Sequence, residues 1–330
     1  MLNISSSSRQ PTWLPWTLER LVRECAIALG NVLDLSTQQT YSSHLQSYLT
    51  FIKLHDFPLQ PTPDIFSFYV VYMSAHIDPR SVGQYLTGIC HNLEHLFPDV
   101  RQVWQNALVS RTLAGCRKRF STPVARKPPL APEHLLALTP TVHSASHDHL
   151  LFCALMFCGF FGLHRLGELV WPDRLALRSW RKVIWRSSVR VSHDNLCYTL
   201  PTQKTDRLYE GNIIMFAQCS DGLDPLQPFI SYLASRDRLF ALQPTLWLTT
   251  AGHVPTCQWF LRHLHSSLPP GVSGHSLRSG GATFFASAGW PDDRIQALGR
   301  WSSDSFKIYI RKNPVFLHAL LYSQTSQTNL

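Results

Sequence analysis

The sequence has no paired cysteines and no grouping of side chains typical of a zinc finger. Its eight cysteines stand singly, without a CxxC pair, and no histidine cluster has zinc-finger spacing. We therefore expect no metal site of that kind. The chain also begins without the pattern of a secretory signal, so we expect reduced thiols in an intracellular protein.

Long apolar runs are missing as well. The most apolar stretch, residues 150–163, is shorter than the roughly 20 residues that a membrane-spanning helix needs. It predicts a buried core helix, and we expect no membrane partner. The sequence also contains no internal repeat.

The glycines do not form a nucleotide-binding loop. Neither GxxxxGK nor GxGxxG occurs, which disfavours a nucleotide site. The formal net charge is +9, with Lys and Arg spread along the chain. This balance suits a polyanionic partner, because Lys and Arg release the counterions condensed on nucleic acid. An ordinary basic protein has the same balance, so charge alone leaves both interpretations open.

The length and hydrophobic content predict two folded domains. The chain has 330 residues, of which 45% are hydrophobic, enough for two buried cores. Its composition divides it into a Ser-rich flexible tail, a helical domain, a Pro-rich linker and a second domain (1–15, 16–119, 120–132 and 133–330). Arg126 and Lys127 in the linker could contact phosphate, and a merely solvated linker is the other interpretation.

The hydrophobic spacing predicts a mainly helical protein. In the first domain it indicates helices at 18–33, 37–54, 66–73, from Ser81, and at 103–119. In the second domain, a helix through 150–170 is followed by strands at 183–191, 196–200 and 212–216, then by helices at 226–236, 258–267, 275–288, 292–298 and 304–310. We therefore predict a mainly α fold with a small antiparallel sheet, an α+β class.

The first segment that could carry chemistry lies where the apolar helix is expected to end. Arg165 follows that helix, and Glu168 stands three residues later. An arginine is costly to bury without an anion, and Glu168 could hold it in position. Taken alone, the pair fits an ordinary ion pair within a helix equally well.

Lys204 stands in the sequence PTQKTD, between two predicted strands. A hairpin tip can project a lysine into a cleft. A solvated lysine on a turn is the other interpretation.

A third segment, GHSLRSGGAT, places His275 and Arg278 three residues apart, on one face of a predicted helix. Two donors near a helix start suit a phosphate, to which the helix dipole adds. The alternative is a capped helix with a structural histidine.

The fourth segment, LGRWSSDSFKIYIR, contains Trp301 and Tyr309. Trp301 offers one indole N–H donor on a large apolar body. A tyrosine in such a helix is usually part of the core.

Together, these segments resemble the active-site series of tyrosine recombinases, or phage integrases. The match is closest to the branch found in DIRS-type retrotransposons and cryptons. It rests on GLHRLGEL, QKTD, HSLRSGGAT and LGRWSSDSFKIY. Residues 36–41, 81–89 and 126–130 carry a further resemblance, to the family's helical core-binding domain, so the likeness covers residues 16 to 314. It implies a core-binding domain and, after it, a tyrosine recombinase catalytic domain.

The resemblance implies a role for each residue around one scissile DNA phosphate. Arg165 and Arg278 would bind the phosphate, and His275 would hydrogen-bond it and assist proton transfer. Trp301 would donate its indole N–H, where many relatives use histidine, and Glu168 would support Arg165.

The resemblance also implies the acid and the nucleophile. Lys204 would protonate the departing 5′ oxygen, and Tyr309 would attack the phosphate. The covalent phosphotyrosine would keep the bond energy for resealing, so we expect no cofactor, metal or ATP.

The sequence departs from the family pattern near its end. Trp301 and Tyr309 are one residue closer together than in many bacterial relatives, and Tyr322 lacks the Gly-Arg-Trp context. Residues 315–322 form a short apolar stretch of the kind that often packs on a neighbouring subunit. We expect double-stranded DNA as partner, a homotetramer on two DNA sites, and a nuclear location inferred from the function alone.

Two other functions stay open at this stage. A recombinase copy from a mobile element can be retained as a DNA-binding protein without turnover, although every expected residue is present here. A type IB topoisomerase shares much of the chemistry, although the N-terminal helical domain favours the recombinase.

Overall fold

A computed structural model describes residues 13–123, 127–138, 146–203, 210–217 and 223–307. The chain forms two compact units, Met1–Val124 and Ala125–Leu330. The boundary between them falls within the predicted linker. The end of that Pro-rich segment contributes to packing, because Leu130 is buried in the second unit and donates its N–H to the Ser276 carbonyl (2.9 Å).

The first unit is a bundle of helices around an apolar core. Its helices are α1 (Leu18–Gly30), α2 (Leu35–Leu54), α3 (Pro63–Ser74), α4 (Pro79–Leu93), α5 (Val100–Gln105) and α6 (Ala107–Phe120). Tyr48 of α2, Phe66 and Tyr69 of α3, and Leu86 of α4 are fully buried in that core. Helix α1 contributes no buried residue.

Two helix boundaries in this unit differ from the sequence prediction. Helix α4 begins at Pro79 rather than at Ser81, with the Asp78 side chain accepting an N–H of the first turn (2.8 Å). Proline is favourable there because the first N–H of a helix has no partner to lose. The single helix predicted over 103–119 is interrupted, because the Asn106 side chain caps the start of α6.

The second unit is also mainly helical and includes the antiparallel sheet. Its helices are α7 (Pro132–Leu136), α8 (His147–Phe161), α9 (Leu166–Leu169), α10 (Leu226–Leu239), α11 (Cys257–Ser267), α12 (Gly274–Ser287) and α13 (Asp292–Gly299). Its strands are β1 (Arg190–Val191), β2 (Asn195–Leu200) and β3 (Asn212–Ala217). This architecture confirms the predicted fold class.

Helix α8 is the centre of the second core. Every residue from Leu150 to Leu163 is buried, as expected for a core helix with apolar side chains all round. In the described parts of the chain, no helix is long and apolar enough to cross a membrane.

The sheet has the order β1-β2-β3, with antiparallel pairing throughout. Tyr198 of β2 lies opposite Ile214 of β3, and both side chains are buried. The strand predicted over 183–191 is wrong, apart from its last two residues. A 3₁₀ turn at Arg186–Ser188 interrupts it, and Ser188 donates its hydroxyl to the Trp185 carbonyl (2.8 Å), a local bond that competes with strand pairing.

The long helix predicted over 150–170 is also wrong. Helix α8 ends at Phe161, and the chain turns before α9 begins at Leu166. Leu163 adopts a left-handed backbone conformation (φ 48°), which is strained for a residue with a branched side chain. Arg165 is therefore not at the end of a helix but precedes the first residue of the next one.

Candidate active site

The candidate site forms around the turn between α8 and α9. Arg165 ends this turn, His275 and Arg278 lie on the first two turns of α12, and Trp301 follows α13. Arg278 Nη1 donates to the Leu163 carbonyl (2.6 Å), which ties α12 directly to the turn. Four of the predicted phosphate-binding side chains thus belong to one group of packed elements.

The two glycines of GHSLRSGGAT explain how α12 comes so close to its neighbours. A Cβ on Gly281 would collide with the Phe160 carbonyl of α8, and one on Gly280 would collide with the backbone of Leu130. Only glycine fits at these points of close approach. The motif therefore serves packing, and the packing places His275 and Arg278 beside Arg165.

Arg278 lies in the interior of the site. Its side chain is 1% exposed, and it donates to the carbonyl oxygens of Leu163 and Gly299. Its guanidinium also stacks over the ring of Trp301, 4.1 Å from the ring centre, in a cation–π arrangement. These contacts satisfy a buried charge that would otherwise be costly. Its contact with a phosphate stays a prediction.

His275 is exposed at the rim of the same group. Partial desolvation, together with the positive charges of Arg278 and Arg165, lowers the pKa of its imidazole below the ordinary value of 6.5. The imidazole is therefore neutral at pH 7 and can accept a proton.

Glu168 is the hub of the polar contacts in this site. Its carboxylate accepts a bond from Arg165 Nη1 (2.9 Å), one from the Arg165 backbone N–H (3.1 Å) and one from Arg300 Nη2 (3.1 Å). Burial by itself would raise the pKa of this carboxyl. The hydrogen bond from His164 and the charges around it nevertheless hold the pKa far below its usual range. Glu168 is thus ionised, and it holds the Arg165 side chain, which remains 29% exposed.

His164 and Tyr198 complete this network from the buried side. His164 Nδ1 lies 3.1 Å from Glu168 Oε2, and His164 Nε2 lies 2.7 Å from the Tyr198 hydroxyl. Burial lowers the pKa of His164 to about 4, so the ring is neutral at pH 7. Because ionised Glu168 can only accept, the proton belongs on Nδ1, and Tyr198 donates to Nε2.

Sequence reasoning missed three members of this network: His164, Tyr198 and Arg300. His164 and Arg300 stand next to residues that were singled out, and each is a polar residue in an apolar neighbourhood. That was the only available signal. Tyr198 gave none beyond the alternation of a strand.

Several predicted residues lie outside the described part of the chain. Lys204 falls in the connection between β2 and β3, and Tyr309 comes after the last described residue; neither is described, and the same holds for Arg126. Lys127 is described and exposed. Among the described residues, no group of three or more His, Cys, Asp or Glu side chains could hold a metal ion.

No protein-family model matches the chain, and no curated protein matches it in sequence. Solved structures do match its fold. The Tn1549 transposon integrase in complex with transposon right-end DNA matches with a TM-score of 0.56 at 10% identity, over 94% of this chain and 99% of that one. A lambda integrase tetramer bound to a Holliday junction matches with a TM-score of 0.54 at 15% identity, over 88% and 76%.

A third solved structure, the XerH site-specific recombinase bound to its palindromic difH substrate, matches with a TM-score of 0.53. The identity is 11%, over 92% of this chain and 83% of that one. At these identities the likeness shows the fold alone. The chain has the fold of the tyrosine recombinases and integrases, as the resemblance implied, whereas the DIRS and crypton branch stays a prediction.

Proposed function

We propose that this protein cleaves and rejoins DNA strands through a covalent 3′-phosphotyrosine intermediate, as a site-specific recombinase or integrase. The observation that carries the proposal is that, in a recombinase fold, Arg278 bonds to the turn that leads to Arg165, and His275 lies three residues before Arg278 on the same helix. The Tn1549 integrase, lambda integrase and XerH structures are all bound to DNA, which supports DNA as the substrate.

The chemistry follows from the charges of the site. A phosphodiester under attack concentrates negative charge, and fixed cationic donors such as Arg165 stabilise it. Neutral His275 can take the phenolic proton of Tyr309, and Lys204 would supply a proton to the leaving 5′ oxygen. None of these steps requires a metal ion or a nucleotide.

The direct test is to incubate the protein with the ends of candidate mobile elements and to look for a covalent DNA adduct. An adduct on specific ends supports the recombinase. DNA binding without an adduct on any cognate end would instead indicate a retained DNA-binding protein. Relaxation of supercoiled DNA without a specific site would favour a type IB topoisomerase.

Binding to double-stranded DNA should weaken steeply with salt. Each neutralised phosphate lowers log K by about 0.9 for every tenfold rise in salt. Lys127→Ala should therefore reduce the slope by about 0.9, while Lys127→Arg, which keeps the charge, should leave it unchanged. Fluorescence anisotropy at several salt concentrations measures this slope. A binding constant that is equal at low and physiological salt contradicts the proposed mode.

We further propose that four copies assemble on two duplexes and that the free protein is a weakly associating monomer. One solved neighbour is a tetramer on a Holliday junction. Residues 315–322 lie outside the described part of the chain, and their apolar sequence is typical of a segment that packs on a neighbouring subunit. Light scattering of the protein on paired DNA sites should give the mass of four chains. A single chain per duplex under cleavage conditions would refute this assembly.

The motif forms also lead us to propose an origin in a DIRS- or crypton-type mobile element and a nuclear site of action. Cleavage of such an element's ends would support the origin. Cell fractionation that recovers the protein only outside the nucleus would contradict the location.

A further inference from the structure

Arg300 makes four hydrogen bonds in the site, although it has no role in the proposed chemistry. It ends α13 with a left-handed backbone (φ 56°), a conformation that is uncommon for a residue with a side chain. Its Nη1 donates to the carbonyls of Gly162 and Leu298 (both 3.0 Å), and its Nη2 donates to the carbonyl of Leu163 (3.3 Å). Its side chain is only 6% exposed.

The same guanidinium also binds the carboxylate that holds Arg165. Arg300 Nη2 lies 3.1 Å from Glu168 Oε2, and Glu168 Oε1 lies 2.9 Å from Arg165 Nη1. The two guanidinium groups therefore bind different oxygens of Glu168; that of Arg300 is buried and that of Arg165 is partly open to solvent. Arg300 fixes both the turn that carries Arg165 and the carboxylate that orients its side chain.

Apart from the two arginines, Glu168 has few hydrogen-bond donors around it in the described part of the chain. His164 is its remaining side-chain donor, and that ring is itself fixed by the Tyr198 hydroxyl. Without Arg300, the Gly162 carbonyl would lose its guanidinium donor, and Glu168 would keep only His164 and Arg165. The Glu168 side chain could then move together with the Arg165 side chain and would no longer hold it in one orientation.

We propose that Arg300 is a positioning residue, which holds the Arg165 guanidinium toward the scissile phosphate by fixing Glu168 and the turn between α8 and α9. The inference rests on the proposed function for its effect on cleavage. The tie between Arg300 and Glu168 can be measured without any cleavage.

The first experiment compares Arg300→Met and Arg300→Lys with the control Arg294→Met, an exposed arginine on the same helix. Adduct formation is followed in single turnover on a nicked DNA substrate, and DNA affinity is measured in parallel. Because a displacement of about 1 Å can cost about 100-fold in rate, Arg300→Met should slow adduct formation by about that factor. DNA affinity should stay within about threefold, and Arg294→Met should behave as wild type.

Arg300→Lys separates positioning from loss of packing. Lysine can form an ion pair with Glu168. It cannot donate to several carbonyls at once in the geometry of arginine, because it lacks the planar guanidinium group. It should restore part of the rate that Arg300→Met loses. Adduct formation at the wild-type rate in Arg300→Met would overturn the inference while leaving the proposed function intact.

The second experiment measures the urea midpoint of unfolding from pH 7 down to pH 3. The pKa values of Glu168 and His164 are both lowered in the folded protein, so both contribute stability at neutral pH that is lost on acidification. The positive charge of Arg300 contributes to lowering both of these pKa values. The gap between wild type and Arg300→Met should therefore stay nearly constant from pH 7 to about pH 5, because the two unfolded chains titrate alike. It should shrink as the pH falls through the folded-state pKa of His164, about 4.

The other titratable and charged groups around this pair are the same in both proteins. They are Cys158 on α8, Arg165 before α9, Lys182 beside the small cavity at Glu168, Tyr198 on β2 and Arg278 on α12. A gap that does not depend on pH would mean that Arg300 only fills space, and it would overturn the inference. If wild-type protein forms no adduct at all, the proposed function fails. The difference in urea midpoint between wild type and Arg300→Met, and its change with pH, still decides whether Arg300 holds Glu168.

Discussion

Tyr309→Phe is expected to abolish the covalent DNA adduct while leaving DNA affinity nearly unchanged. The substitution removes one oxygen, the atom that would bond to the phosphate, and keeps the size of the ring. A free tyrosine has a pKa near 10 and is a poor nucleophile at pH 7. In the proposed mechanism, the cations that bind the phosphate would favour the phenolate, and neutral His275 would accept its proton.

A nicked DNA substrate, which loses the strand needed for resealing, should trap the adduct for peptide mapping. Tyr322→Phe is the matched control, since it changes the other tyrosine near the end of the chain. It should leave the adduct intact. An adduct mapped to Tyr322, or one that survives Tyr309→Phe, would assign the nucleophile to a different residue.

Lys204→Ala should slow strand cleavage by about 10²–10⁴, the usual contribution of a general acid. The leaving 5′ alkoxide is strongly basic and needs a proton as the bond breaks. A substrate with sulfur in the 5′ bridging position leaves as a thiolate, which needs no proton. It should restore most of the lost rate.

Lys204→Arg distinguishes proton donation from simple charge. Arginine keeps the positive charge but does not give up a proton near neutral pH. The arginine variant should therefore be slow on ordinary DNA and fast on the sulfur-containing substrate. Equal defects on both substrates in the alanine and arginine variants would remove the acid role from Lys204.

Local patterns in the sequence were enough to predict the class of the fold. The apolar stretch over 150–163 predicted a core helix, and that helix is buried as expected. Alternation and turn residues located β2 and β3 within a residue or so. The core helix and the two strands depend on residues that are close together in the sequence, so a local sequence pattern is enough to predict them.

Local patterns failed where distant residues determine the backbone. The helix predicted over 150–170 breaks after Phe161, and its strained Leu163 carbonyl accepts bonds from Arg278 and Arg300. The partners that compensate this strain lie more than a hundred residues away, outside any window of sequence. The segment predicted as a strand over 183–191 also depends on distant residues. The Arg186 N–H donates to the Pro244 carbonyl, and the Leu246 N–H donates to the Ile184 carbonyl (both 2.8 Å).

The sequence by itself determined the composition of the candidate site: the order of Arg, Lys, His, Arg, Trp and Tyr, and the resemblance built on that order. Only the tertiary structure decided how the described part is held together. It placed Glu168 between Arg165 and Arg300, although Glu168 and Arg300 are separated by 132 positions. It also placed His164 and Tyr198 behind that carboxylate as neutral hydrogen-bonding partners. The physical reason is that a buried carboxylate is stable only when donors from several elements converge on it, and that convergence exists only once the chain has folded.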